Sequence, residues 1–250
     1  MRTPVRLTQT RWFGLLKELA KGRPEAINIY TETLNLSKCL RSSMKKGGGL
    51  RSDGTFDPVI NGSFLGKDRI RNLILPDAAT AIVDGTEGCS VSPFCAFKNF
   101  RYLYEVTGRN IIRIGDHAFC DCPALSIVDF PKAEFIGEAA FCACQLHKMN
   151  LPNIAKIDNA AFAGSDYPTK TLVITLGKKA PVVGCNLFAD CNPRTVIVQI
   201  PKDAQGFGTS PSDSNSKNWG NAFRGMGWNG KSFGKGKVNT NITLKIKVLI

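Results

Sequence analysis

A short pattern recurs along the chain at nearly constant spacing. It begins at Ile114, again at Ile136, and less exactly at Ile157, each time as Ile-(Gly or Asp)-x-x-Ala-Phe. The Phe residues of this pattern and of its fainter copies lie 22, 22, 21 and 26 residues apart, at Phe97, Phe119, Phe141, Phe162 and Phe188. A repeat of this length predicts a solenoid, in which one unit cannot bury its own apolar face and must stack on its neighbours.

Each unit also contains a short strand-like segment that often ends at a proline. The prolines at these ends are Pro76, Pro131, Pro152 and Pro201. Proline has no N–H to donate to a ladder and is typical of a strand terminus. Side chains of a strand alternate between two faces, which predicts an inward set of apolar residues. That set comprises Val128, Phe130, Met149, Leu151, Ile174, Leu176, Val198 and Ile200.

The residues between the inward positions form the open face of the same sheet, which we call the strand face. Its members are Asn72, Ile74, Glu105, Thr107, Ile127, Asp129, Lys148, Asn150, Val173, Thr175, Ile197 and Gln199. Neighbouring strands of a parallel sheet bring such residues into columns. Since solenoids act mostly through an extended surface, we predict that the strand face binds the partner.

The N-terminal part of the chain is predicted to cap the solenoid. Residues 9–21 place Trp12, Leu15, Leu16 and Leu19 on one helical stripe, and residues 22–24 end the helix at Gly and Pro. Residues 27–30 alternate as a strand does. A basic amphipathic helix also suits a membrane surface or a partner, which is the alternative to a cap. Residues 45–67 are rich in Gly and charge and are predicted to be a long loop, with the first clear solenoid strand at 69–76.

The C-terminal part changes character after the last repeat. Residues 202–237 are rich in Gly yet contain Trp219, Phe223 and Trp228, and aromatic side chains of this size normally dock on something. Residues 241–248 alternate cleanly and predict a closing strand with Ile242, Leu244, Ile246 and Val248 on one face. The expected organisation is therefore an N-terminal cap and loop over 1–69, a solenoid of about five units over 70–201, and a C-terminal cap over 202–250.

The net charge of +13 is concentrated at the two ends of the chain. Residues 1–51 hold 11 Lys/Arg and 3 Asp/Glu, residues 52–200 hold 14 and 15, and residues 201–250 hold 8 and 2, giving +8, −1 and +6. Basic ends suit nucleic acid, acidic glycans, anionic lipid or acidic proteins, or else form a solvated surface. Aromatic residues do not interleave the basic clusters, which argues against nucleic acid as the partner.

The nine cysteines include two repeat-related sets. Cys122, Cys144 and Cys191 each follow a repeat Phe by three residues, and Cys120 and Cys142 each follow one directly. No pair has C-x-x-C spacing. A ladder of free thiols fits these positions best, since Cys packs as a small hydrophobe. A metal site and a disulfide between units about 4.8 Å apart are the alternatives.

The sequence offers no set of catalytic residues. Only two histidines occur, His117 and His147, and both occupy variable positions of the repeat, which are usually exposed to solvent. The chain contains no G-x-S-x-G, H-E-x-x-H, phosphate-binding or calcium-binding motif. Because neither a nucleophile–base pair nor a ligand set can be named, we expect no enzymatic activity, no cofactor and no metal.

Residues 110–152 resemble the Treponema-type, or BspA-like, leucine-rich repeat almost letter for letter, and about 70–201 resemble it at the level of the unit. The segments 219–230 and 239–244 are similar to C-terminal segments of spirochaete members. The resemblance implies an α/β solenoid whose curved parallel sheet lines the inner, concave face. It also implies roles in attachment to host matrix or to other cells.

The fourth unit departs from this pattern. It has Ser165 at the position that Cys122, Cys144 and Cys191 occupy in other units, and residues 166–170 are inserted before its strand. Irregular stacking there could open an apolar pocket, so a carrier of a small apolar ligand is one alternative function. A polyanion binder acting through the basic ends is another.

The leading hypothesis is a non-enzymatic protein-interaction or adhesion module acting in host–pathogen contact. The partner would be a protein, including host extracellular matrix or a cell surface, and an exposed edge strand would also allow a homo-oligomer. No apolar run approaches the roughly 20 residues that span a bilayer. Members of the family are usually exported, whereas residues 1–10 lack a signal-peptide core, so the location stays open.

Overall fold

The computed structural model describes residues 5–21, 32–59, 66–85, 95–164, 171–191, 194–207 and 242–249. Helix α1 spans Gln9–Lys21, and a single 3-10 turn spans Lys67–Arg69. The strands among these residues are β1 (Glu32–Asn35), β2 (Gly49–Leu50), β3 (Thr55–Asp57), β4 (Ile70–Ile74), β5 (Ala81–Ile82), β6 (Glu105–Thr107), β7 (Arg113–Ile114), β8 (Ile127–Asp129), β9 (Phe135–Ile136), β10 (Lys148–Leu151), β11 (Lys156–Ile157), β12 (Thr171–Leu176), β13 (Val182–Val183), β14 (Arg194–Ile200) and β15 (Ile242–Val248).

The strands form two sheets that run through the whole stack of repeats. The larger sheet has the order β1-β4-β6-β8-β10-β12-β14-β15, and every neighbouring pair in it is parallel. The second sheet has the order β13-β11-β9-β7-β5-β3-β2 and is parallel except for β2 with β3. Each central repeat thus contributes one strand to each sheet, as a solenoid requires.

The core of each repeat lies between its two strands and the turn that follows. In the repeat that begins at β8, the buried side chains include Val128, Phe130, Ile136 and Phe141. The whole inward set expected from the alternation is buried to 2% exposure or less. The alternation of the sequence therefore assigned the inner face of this sheet correctly.

The repeat Phe residues form a continuous stack of rings along the solenoid. Phe119 and Phe141 are nearly parallel, with centroids 5.2 Å apart and an interplanar angle of 4°. The other neighbours lie 4.3 Å apart for Phe97–Phe119, 6.2 Å for Phe141–Phe162 and 5.3 Å for Phe162–Phe188. All five rings are fully buried. The predicted contact of each ring with the ring of the next repeat is confirmed.

A third ladder of backbone hydrogen bonds runs through the turns beside this stack. The N–H of Phe119 donates to Ala140 O at 2.7 Å, and that of Phe141 to Ala161 O at 2.8 Å. Ala143, with φ of 57°, adopts the left-handed conformation and donates to Ala163 O at 2.8 Å. This conformation costs a non-glycine residue about 1–2 kcal/mol, and the inter-repeat hydrogen bond offsets part of that cost.

The Gly of the Ile-Gly motif is explained by close packing between repeats. A Cβ atom on Gly115 would lie 2.5 Å from Val83 O, and one on Gly137 would collide with the Asp116 side chain. Any larger residue would push neighbouring repeats apart at this corner. The Gly of the motif therefore sets how closely neighbouring repeats approach, while the Ile and Phe of the motif form the core.

Helix α1 has the predicted bounds, and its buried residues are Trp12 and Leu16. Leu15, which we expected on the buried stripe, is 37% exposed and lies at its edge. The strand expected over residues 27–30 lies outside the described residues. The roles of α1 and β15 as caps stay predictions.

One expectation about the strands was wrong, and the structure adds a strand that the sequence analysis did not identify. The expected loop 45–67 contains β2 and β3, because Gly49 to Asp57 forms a tight antiparallel pair that extends the second sheet. The larger sheet also begins one strand earlier than residues 69–76, since β1 pairs with β4. Apart from α1 and the 3-10 turn, the described residues contain no helix, so the second side of each described repeat is a short strand rather than a helix.

Replacing Phe141 by Ala is expected to lower the free energy of unfolding by about 3–5 kcal/mol, because the lost ring leaves a cavity between two stacked neighbours. The adjacent Cys142→Ala is the control, since Cys142 is only half-buried at the turn and loses far less. Urea midpoints measure both changes. Equal shifts in the two variants would contradict the importance of the ring stack.

Candidate functional site

The register of the larger sheet places the twelve residues of the strand face in two columns. The first column is Thr33, Asn72, Glu105, Ile127, Lys148, Val173, Ile197 and Lys245. The second column is Asn35, Ile74, Thr107, Asp129, Asn150, Thr175, Gln199 and Lys247. The structure thus brings together all the residues that the sequence assigned to this face. Their role in binding stays a prediction.

Four residues of these columns were missed by the sequence analysis: Thr33, Asn35, Lys245 and Lys247. Strand β1 has four residues, carries no terminal proline and precedes the recognisable repeats, so no signal marked it. The alternation of residues 241–248 did contain a signal for Lys245 and Lys247, which occupy the positions between the apolar ones.

Both columns are rich in polar residues, but the first has three apolar members and the second has one. In the first column, Val173 and Ile197 are apolar neighbours on β12 and β14, and both are partly exposed. In the second column the side chains are mostly polar and bond to one another across strands. Asn150 Nδ2 donates to Asp129 Oδ1 at 2.7 Å, and Thr175 Oγ1 donates to Gln199 Oε1 at 3.3 Å. These bonds fix side chains that would otherwise lose entropy on binding.

A hydrogen-bonded pair at the margin of the strand face was also missed by the sequence analysis. Ser126 Oγ and His147 Nδ1 lie 2.7 Å apart on adjacent repeats. Ser126 is only 2% exposed, and its hydrogen bond orients the exposed His147 ring. His147 is solvent-facing as expected, whereas His117 is only partly exposed and its Nδ1 is buried.

The Cys122, Cys144 and Cys191 thiols form the free-thiol ladder that the repeat predicts. Each donates from Sγ to the carbonyl of the Phe in the preceding repeat: Cys122 to Phe97 at 3.5 Å, Cys144 to Phe119 at 3.1 Å and Cys191 to Phe162 at 3.2 Å. All three are buried and carry no disulfide. Burial raises the pKa of Cys122 and Cys144 well above the ordinary thiol value.

The second set of thiols lies in the turns. The thiols of Cys120 and Cys142 hydrogen-bond to one another, and Cys120 also bonds to Cys95. The bond to Cys142 lowers the pKa of Cys120, but the bond to Cys95 and burial raise it more, to about 12. The bond to Cys120 and burial raise the pKa of Cys142. Within the described ranges no group of three or more Cys, His, Asp or Glu side chains is arranged to hold a metal ion.

Comparison with known proteins agrees with this repeat architecture. Residues 93–210 match the family described as the BspA type leucine rich repeat region, in six copies. This part of the chain is similar to BspA-type leucine-rich repeats. The match covers 118 of the 250 residues, from 93 through 210, and extends slightly beyond the expected end of the solenoid at 201. No curated protein and no solved structure matches the chain.

Two other predicted features fall on parts of the chain that cannot be compared with the structure. The insertion at 166–170 and the aromatic residues Trp219, Phe223 and Trp228 lie outside the described residues, so the apolar pocket stays a prediction. No helix in the described ranges is long and apolar enough to cross a membrane.

The free-thiol ladder predicts the pattern of alkylation in the native protein. The exposed Cys185 should react with iodoacetamide at about pH 8, while Cys122 and Cys144 should react only after denaturation, because the thiolate is the nucleophile and burial suppresses it. Mass spectrometry of the digested protein measures both. A peptide cross-linked through Cys122 and Cys144, or zinc released on denaturation, would contradict this interpretation.

Proposed function

We propose that the protein is a non-catalytic interaction module that binds a protein partner through the strand face. Leucine-rich repeats generally mediate protein interactions and are typically non-enzymatic, and residues 93–210 are similar to such repeats. The observation that carries the proposal is the two-column register across eight strands. It presents many side chains at fixed positions on one surface.

The dimensions of the strand face suit a protein partner. Eight strands about 4.8 Å apart give a surface roughly 34 Å across. A protein interface takes roughly 800 Å² from each partner, which a surface of this length can supply. A small molecule would require a concave pocket instead, and these columns form an extended surface.

The chemistry of the strand face changes along the solenoid. Glu105 and Asp129 lie in its central repeats, the partly exposed Val173 and Ile197 follow, and Lys245 and Lys247 stand on the last strand. Lys148 on one side and Lys245 on the other flank this apolar pair, and apolar residues bordered by charge are the usual organisation of a protein interface. We expect Val173 and Ile197 to supply much of the binding energy, while the charges set the orientation of the partner.

The attachment role implied by the family resemblance is the more specific form of this proposal. In that form the partner is a protein of the host extracellular matrix or of another cell's surface. The regular columns support the attachment role. A matrix protein presents a long surface, and an extended sheet contacts a long surface better than a single cleft does.

The double substitution Val173→Glu with Ile197→Glu should abolish partner binding and leave stability nearly unchanged. Both side chains are partly exposed on adjacent strands, so the new carboxylates place unpaired charge at the centre of the interface without entering the core. Binding to immobilised, purified extracellular-matrix proteins is measured by surface plasmon resonance, and folding by circular dichroism.

The matched control is Ile112→Glu with Val182→Glu. These two β-branched residues are 42% and 69% exposed beside or within the second sheet, and the change in charge is the same. The control should bind as the original chain does. Unaltered binding by the strand-face variant would contradict the strand face as the site, and no binding by the original chain to any matrix protein would contradict the attachment role.

A further inference from the structure

The arginines near the N-terminus form a connected group on the surface of the first repeats. Arg11 Nη1 donates to Arg6 O at 3.1 Å, and Arg6 Nη1 donates to Arg41 O at 2.7 Å. Arg41 Nε in turn donates to Ala78 O at 2.9 Å. Each guanidinium is therefore held on the backbone at the next arginine or at Ala78, which links three cationic residues into one region of the surface.

No carboxylate balances these three charges within the described part of the chain. The ion pairs found there involve Lys21, Arg51, Arg113, Lys156 and Lys178, and none involves Arg6, Arg11 or Arg41. Residues 5–21 and 32–59 together hold nine Lys/Arg and four Asp/Glu, a net charge of +5. Such a concentration attracts an anionic partner.

Exposed apolar side chains lie among the same cations. Val5, Leu40 and Met44 are 45%, 42% and 49% exposed. The backbones of Val5 and Leu40 are joined by the hydrogen bond from Leu40 N to Val5 O at 2.9 Å, and each of these residues directly precedes an arginine of this group. Met44 is followed directly by the exposed Lys45 and Lys46. Exposed apolar residues are ordinary when scattered, but each of these three directly precedes a cationic residue in the chain.

We propose that this region is a docking surface for an anionic lipid bilayer. We call it the N-terminal patch, and its members are Val5, Arg6, Arg11, Leu40, Arg41, Met44, Lys45 and Lys46. The cations contact lipid phosphates and carboxylates, while the apolar side chains enter the boundary between headgroups and acyl chains. The N-terminal patch does not overlap the strand face, so either proposal can fail without the other.

The apolar residues distinguish a bilayer from other polyanions. A sulfated glycan or a nucleic acid would use the arginines and lysines but would gain little from Val5, Leu40 and Met44, which would stay in water. A bilayer uses both kinds of side chain. The choice of partner therefore depends on whether removing apolar side chains weakens binding.

The test is sedimentation of the full chain with vesicles of phosphatidylcholine containing about 30% phosphatidylserine, with pure phosphatidylcholine vesicles as reference. The original chain should bind only the anionic vesicles. Lys45→Gln with Lys46→Gln should weaken binding about fivefold per residue. Leu40→Gln with Met44→Gln should weaken it about tenfold or more, because the substituted side chains no longer enter the interface.

Matched controls come from the C-terminal half of the chain. Lys179→Gln with Lys202→Gln removes the same charge from exposed positions outside the strand face, and Val248→Gln with Leu249→Gln removes apolar residues that are 43% and 39% exposed. Both controls should bind as the original chain does. Circular dichroism confirms that each variant is folded.

Three outcomes would overturn the proposal. If the original chain does not bind anionic vesicles, no bilayer surface exists. If the lysine control weakens binding as much as Lys45→Gln with Lys46→Gln, binding reflects net charge rather than this patch. If Leu40→Gln with Met44→Gln binds the anionic vesicles as tightly as the original chain does, the apolar side chains do not enter the bilayer. The patch is then a general polyanion site.

Discussion

Stacking of aromatic rings between repeats is the interaction on which the rest of the structure depends. No single repeat encloses its Phe; each ring is covered only when the next repeat supplies another ring at 4.3–6.2 Å. The stack continues past Phe97 to Phe56 at 6.1 Å and then to Trp12 of α1, which meets Phe56 edge-on at 5.5 Å. The N-terminal helix thus shares the same continuous core as the repeats.

The other recurrent features of the repeat serve the spacing that this stacking requires. Gly115 and Gly137 allow the corners of adjacent repeats to approach closely. Left-handed residues such as Ala143 direct their N–H groups to the next repeat, and buried thiols such as Cys144 satisfy the carbonyl of the preceding Phe. Because these inward features hold the strands in register, the outward residues are free to vary. A surface of that kind can be adapted to a partner without disturbing the core.

The sequence predicted the larger sheet well because its physical signals are local. Alternation identified residues such as Met149 and Leu151 as inward, and the 21- and 22-residue spacing predicted the ring stack. The sequence did not predict the second sheet, because strands such as Phe135–Ile136 have only two residues and therefore show no periodicity. The group of Arg6, Arg11 and Arg41 was also beyond the sequence, because the hydrogen bond from Arg6 to Arg41, 35 residues away, brings Arg41 into it. The net charge of the N-terminal segment was its only signal.

Amide hydrogen exchange of the native protein tests most directly whether the repeats depend on one another. If stacking stabilises each repeat through its neighbours, the amides of the central strands β8, β10 and β12 should exchange slowest and share one free energy of opening. The edge strand β15 has one described neighbour and should exchange first. Separate, unequal opening energies for β8, β10 and β12, or faster exchange in these strands than in β15, would contradict this mechanism.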